Sequence, residues 1–164
     1  FKGDKTKMEL NNLLSRKIIS ASITSTLFAI LLGLFVPNPF SETISSTSEY
    51  FLAFVTATPV YLMYSFPVIL IYGVLTSSIS DRIAQIISTK ADKQNFEGPF
   101  SFILHIIFGL ILLIYSLVAA ILFFMTDRFL LKSNNDYTLL KAAQSLVIPI
   151  SVFLILWGLV YFGL

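Results

Sequence analysis

Four stretches without a single Asp, Glu, Lys or Arg dominate this chain: Ile18–Val36, Phe51–Leu75, Phe100–Met125 and Leu146–Leu164. A helix needs ~20 mainly apolar residues to cross the ~30 Å hydrocarbon core of a bilayer. Each stretch meets or nearly meets that length. Together they take up more than half of the 164 residues, and a soluble fold of this size has no interior for so much apolar surface. The pattern predicts an all-α polytopic membrane protein with four transmembrane helices. A cytoplasmic N-terminal segment, residues 1–17, precedes a transmembrane domain, residues 18–164.

Composition sharpens the exclusions. Apolar residues make up 56% and charged residues 12%, against roughly 45–50% and 25% in soluble domains. The longest polar connection, Thr76–Pro99, is too short for a separate soluble domain. A net charge of +2 offers nucleic acid little to bind, and the absence of Cys removes disulfides, thiolate metal sites and thiol catalysis. No HExxH, GxSxG, P-loop or EF-hand pattern occurs, so the expectation is no enzyme, no cofactor and no metal. The expected partner is the lipid bilayer, with a membrane-protein partner or a second copy of the chain left open.

The basic residues suggest an orientation. Phe1–Lys17 holds five Lys/Arg, Pro37–Tyr50 none, Thr76–Pro99 three and Thr126–Ser145 three. With four crossings the count is eight against three, and the positive-inside rule places both termini in the cytoplasm. Arg16-Lys17 before an apolar run also suits a signal peptide. The run is long for one, however, and Phe35–Phe40 offers no small-residue cleavage site, so a retained anchor is expected. Met8 is a candidate start, because the chain opens on Phe1.

Within the stretches, Ser22, Thr26, Ala29 and Gly33 share a face suited to close helix approach. Pro59 and Pro67 predict kinks in the second stretch, and Gly73 offers a packing point beyond them. After that stretch either Ser80-Asp81 caps a new turn or the helix continues, and Ile79, Ile83, Ile86 and Ile87 predict a short amphipathic helix at the interface. Gln144, Ser151 and Gly158 form a seam on the fourth stretch, and Trp157, Tyr161 and Phe162 suit an interfacial belt. Asp81-Arg82 and Asp127-Arg128 read as boundary markers rather than acid–base pairs.

Five residues are candidate cavity or ligand contacts. Thr58, Ser65 and Tyr72 repeat every seven residues with Tyr61 close by, which is the wall of a small polar cavity or hydroxyls bonded to carbonyls freed by proline. His105, the sole histidine, is either a proton-responsive or ligand-contacting group or a neutral histidine hydrogen-bonded to a neighbouring hydroxyl. The missing second histidine and intramembrane carboxylate favour the quieter role.

The run from Tyr64-Ser65-Phe66-Pro67-Val68 through Ile69-Leu70-Ile71-Tyr72-Gly73 to Ser80-Asp81, with the four-stretch layout, resembles a family of short, uncharacterised membrane proteins from Bacillus-type bacteria. The resemblance implies a bacterial plasma membrane and brings no established activity. The expected function is therefore a non-enzymatic one, exerted through helix or lipid contacts in a setting such as envelope stress or toxin immunity. The alternative is a small transporter or accessory permease subunit with a polar cavity beside the second stretch.

Overall fold

The computed structural model describes residues 2–39, 43–90, 97–110, 114–133 and 136–162, and among them there is helix and no strand. Helix α1, Lys2–Phe35, runs unbroken from the basic segment through the first apolar stretch. The helix stops just before Pro37 and Pro39, neither of which can supply a backbone N–H.

Helix α2, Thr47–Val68, opens on a capping box: the Ser46 hydroxyl accepts from the Glu49 N–H, and Glu49 Oε2 accepts from the Ser45 N–H at 2.7 Å. Pro59 and Pro67 both lie inside it. Directly after Pro67 the chain makes a π-helical turn, Ile69–Gly73, and continues as α3, Val74–Lys90. Proline deprives a carbonyl one turn back of its donor, and a π turn is one way to absorb the break. The isoleucine segment is consequently the end of this long helix rather than a newly capped turn. Its inner face is polar and small, with Ser77, Ser80, Ala84 and Ser88 buried, while Ile79 and Ile86 are exposed.

The third stretch departs from expectation. Phe100–Met125 is not one spanning helix but parts of two, α4, Glu97–Leu110, and α5, Ile114–Lys132. They fold back on each other. A Cβ at Gly109 would stand 2.8 Å from the Ala120 Cβ, the Ser116 hydroxyl donates to the Gly109 carbonyl, and Phe102 and His105 both pack on Phe124. These pairings run antiparallel, which makes the stretch a helical hairpin with its ends at one level.

After the hairpin, α6, Leu139–Ser145, capped by Thr138, leads into α7, Val147–Tyr161. Among the described residues, three helical stretches are long and apolar enough to cross a membrane: Lys7–Phe35, Thr47–Thr89 and Leu139–Tyr161. Gly98–Leu110 is apolar but short.

Helix α1 is the central element, touching α2, α3, α5, α6, α7 and the π turn. Its small face lets it serve that many neighbours. Ser22, Thr26 and Ala29 are buried, and a Cβ on Gly33 would collide with Thr58 Oγ1 at 2.1 Å. Ala21 and Phe28 meet Ile69 and Phe123 in the apolar core, and Phe123 lies close against Gly73. Gly158 differs, since a Cβ there would meet nothing within 4 Å; at this end the seam expected on α7 has no close neighbour among the described residues.

Candidate functional site

Five charged residues from three doublets that the chain keeps far apart converge at one end of the bundle, Arg82 alone pointing away and exposed. Lys17 of α1 is fully buried, and its ammonium has three donors. They are spent on Ser77 Oγ at 2.5 Å, Asp81 Oδ2 at 2.5 Å and Asp127 Oδ2 at 2.7 Å. Arg16 Nε stands 3.1 Å from Asp127 Oδ1 and its Nη2 3.9 Å from Asp81 Oδ2. Arg128 Nη2 donates to Asp81 Oδ1 at 2.7 Å, and its guanidinium lies 5.2 Å from the Phe124 ring centre. The Ser101 hydroxyl of α4 donates to that same Oδ1, also at 2.7 Å.

Each placement has a local cause. Arg16 and Lys17 stand one turn before the small face of α1, so neighbours can approach their bases. Ser77 and Asp81 are four apart on α3 and share a face. Asp127 ends the apolar run of α5 at the depth where Ser101 begins that of α4. Asp81 Oδ1 therefore receives a hydrogen bond from each arm of the hairpin. The cluster clamps the hairpin base to α1 and α3.

Three cations surround two carboxylates, leaving one net positive charge. The Lys17 donors are all used and both carboxylates are multiply bonded, so the geometry suits a structural lock and leaves no free base or nucleophile at its centre. Removing one member of such a pair leaves an uncompensated buried charge, at a cost of ~3–5 kcal/mol. Among the described residues no group of His, Asp and Glu is arranged to hold a metal ion. Sequence reading assigned these doublets to the edges of apolar stretches and missed their convergence. The available signal was that Arg16-Lys17, Asp81-Arg82 and Asp127-Arg128 all lie just beyond an apolar stretch.

The five residues singled out from sequence are distributed over four places. Thr58 is buried where α2 crosses Gly33, its hydroxyl donating to the Phe54 carbonyl at 2.7 Å. Ser65 Oγ is buried without a hydrogen-bond partner among the described residues. Tyr61 donates to the Val36 carbonyl at 2.7 Å and lines a groove at the end opposite the charges. Tyr72 and His105 do come together, around a cavity of about 50 Å³ between the π turn and the hairpin. There Tyr72 donates to the Phe108 carbonyl at 3.0 Å.

His105 is almost wholly buried, and its Nδ1 lies 2.7 Å from the Ser101 carbonyl. A carbonyl only accepts, so Nδ1 carries the proton and donates. Nε2 is buried with no partner among the described residues, and as the unprotonated nitrogen of a neutral ring it presents a lone pair. The bond observed goes to a backbone carbonyl, where the sequence reading expects a hydroxyl. The cavity beside it has room for about one or two waters. No family model, curated protein or solved structure matches this chain.

Proposed function

We propose that this chain is a non-enzymatic integral membrane protein of a bacterial plasma membrane that crosses the bilayer three times and inserts one hairpin from the cytoplasmic side. Helices α1, α2 with its continuation, and α7 make the crossings. The hairpin enters with α4 and leaves with α5. Non-spanning helices at membrane depth are tolerated where protein buries them, and α1, α3 and the π turn flank this one.

One observation carries the reading. Every Lys and Arg of the sequence falls in residues 1–17, 76–99 or 126–145, and none falls in 37–50 or from 146 onward. If the hairpin returns to the side it came from, all eleven basic residues lie on the cytoplasmic side. Four crossings would divide them eight to three. The C-terminal end of α7 then faces outward, in place of the cytoplasmic position expected from four crossings.

The protein acts through its helix and lipid contacts, with the ion cluster setting the geometry of the hairpin. A transporter reading has less support, because the cavity beside Tyr72 and His105 is lined mainly by apolar side chains and is too small for an organic substrate. Reporter fusions after Ser45, Thr89, Asp136 and Phe162 test the topology. Thr89 and Asp136 should report one side, Ser45 and Phe162 the other; opposite sides for Thr89 and Asp136 would restore four crossings. The mode of action is tested by complementing a deletion strain with the double variant Lys17→Met/Asp127→Leu. Complementation supports a lock that apolar contacts can replace. Failure at normal protein level and topology would favour ion-coupled transport.

A further inference from the structure

Four polar side chains line the cavity of about 50 Å³ between the π turn and the hairpin: Tyr72 and Thr76 from the long helix, His105 and Ser116 from the hairpin. The remaining walls are apolar side chains or glycine. The three hydroxyls already donate to backbone. Tyr72 gives its proton to the Phe108 carbonyl at 3.0 Å, Thr76 to the Tyr72 carbonyl at 2.8 Å, and Ser116 to the Gly109 carbonyl. A hydroxyl has a single proton, so each can offer a guest only lone pairs. His105 has the same character. Its Nδ1–H is held by the Ser101 carbonyl, and the buried Nε2 is an acceptor with no partner among the described residues. A buried acceptor left without a donor is destabilising, which favours a donor in the cavity.

The polar side chains at this cavity therefore accept, and that property selects the guest. An anion or a carbonyl compound finds no side-chain donor there. A cation suits the lone pairs but meets unfavourable charge: Ser101, whose carbonyl holds Nδ1, gives its hydroxyl to Asp81 of a cluster with one net positive charge. What remains is a neutral hydrogen-bond donor small enough for the space. We infer that the cavity binds one water molecule, which donates one proton to His105 Nε2 and the other to a hydroxyl of the long helix. A water occupies ~30 Å³ in the liquid and fits the volume. Held in this way it joins α4 to the long helix beside the π turn, where the regular α-helical ladder is interrupted. It also fixes the tautomer, because Nε2 stays an acceptor for as long as the water donates to it.

The sole histidine permits a direct test, since isotopic nitrogen labelling of histidine places a single ring in the spectrum. With the whole chain in hydrated phosphatidylcholine bilayers, solid-state NMR identifies the protonated ring nitrogen and follows magnetisation transfer from water to each. Nδ1 should carry the proton. Nε2 should show the upfield shift of a hydrogen-bonded lone pair, together with direct transfer from water. Ala119→Val adds two methyl groups at the cavity wall. It should abolish the transfer to Nε2 and move its shift to that of a free lone pair, with Nδ1 still protonated. If that variant does not fold, the wild-type spectrum decides alone. A free lone pair at Nε2 without transfer would mean a dry cavity, and a proton on Nε2 would reverse the acceptor assignment. Transfer that survives Ala119→Val would place the water elsewhere. Each of these results would overturn the inference.

Discussion

The α4–α5 hairpin and helix α7 come from stretches that hydropathy treats alike, both uncharged and both ample for a bilayer, yet only one of them runs straight. In the hairpin the helices meet at Gly109, Ser116 and Ala120, and its ends converge on Asp81. In α7 only Pro149 is buried, and Gly158 faces open space. Apolarity says that a segment tolerates lipid; it does not say whether the segment passes through. At ~1.5 Å per residue, the uncharged run from Phe100 to Met125 is ~39 Å as one helix, more than one crossing needs and too little for two. Folding back becomes the favoured solution when small residues allow the two arms to touch and polar groups fasten both ends on one side.

The largest expected effect is at that fastening. Asp127→Ala leaves Lys17 and Arg16 buried around Asp81 alone, and should destabilise the folded bundle by ~3–5 kcal/mol. In detergent this should appear as a lower unfolding midpoint and as new protease cleavage in α5. The double variant Lys17→Met/Asp127→Leu should recover most of the loss, because an apolar pair replaces a buried ion pair at little or no cost. A single variant within ~1 kcal/mol of wild type would mean that water reaches the cluster and that the hairpin is held elsewhere.

A second, smaller effect tests the contact between the arms. Gly109→Ala places a Cβ 2.8 Å from the Ala120 Cβ and 3.2 Å from the Leu117 Cα. Neither is the flexible end of a side chain, so the arms must separate. Overpacking of this kind costs ~1–3 kcal/mol. Pairing Gly109→Ala with Ala120→Gly should restore stability measured the same way; no recovery would place the strain at the Leu117 backbone.

Local features were the most legible in the sequence. The helical character follows from four uncharged runs, and the buried face Ser22/Thr26/Ala29/Gly33 follows from its spacing. So does the packing point at Gly73. Features that require three helices to meet were not legible. A seven-residue repeat places Thr58, Ser65 and Tyr72 on one face only while the helix remains regular. The π turn at Ile69–Gly73 adds about one residue to the register, and the neighbours change along the way from Gly33 to the hairpin. The proposed cavity wall is therefore divided between an α1 contact and the His105 cavity. Asp81 and Asp127 looked like edge residues because each lies beside an apolar run. Their pairing with Lys17 spans 64 and 110 residues of chain, and nothing local encodes it.

The smallest expected effect has the opposite sign and completes the comparison. Gly158 lies inside α7, where glycine is less favourable than alanine by ~1 kcal/mol, and a Cβ there would meet nothing within 4 Å. Gly158→Ala should accordingly raise stability slightly, by up to ~1 kcal/mol, while the same substitution at Gly109 lowers it. The added methyl group meets no described atom and carries no polar cost. The sequence, however, places Gly158 in register with Gln144 and Ser151, a spacing that would suit close approach by another helix. The sign of the effect in bilayers separates the two. A gain in stability in both detergent and nanodiscs leaves α7 as a lipid-facing crossing. A loss confined to nanodiscs at high protein density would mean that a second copy of the chain packs at Gly158, and α7 would then resemble the hairpin arms in using glycine for contact.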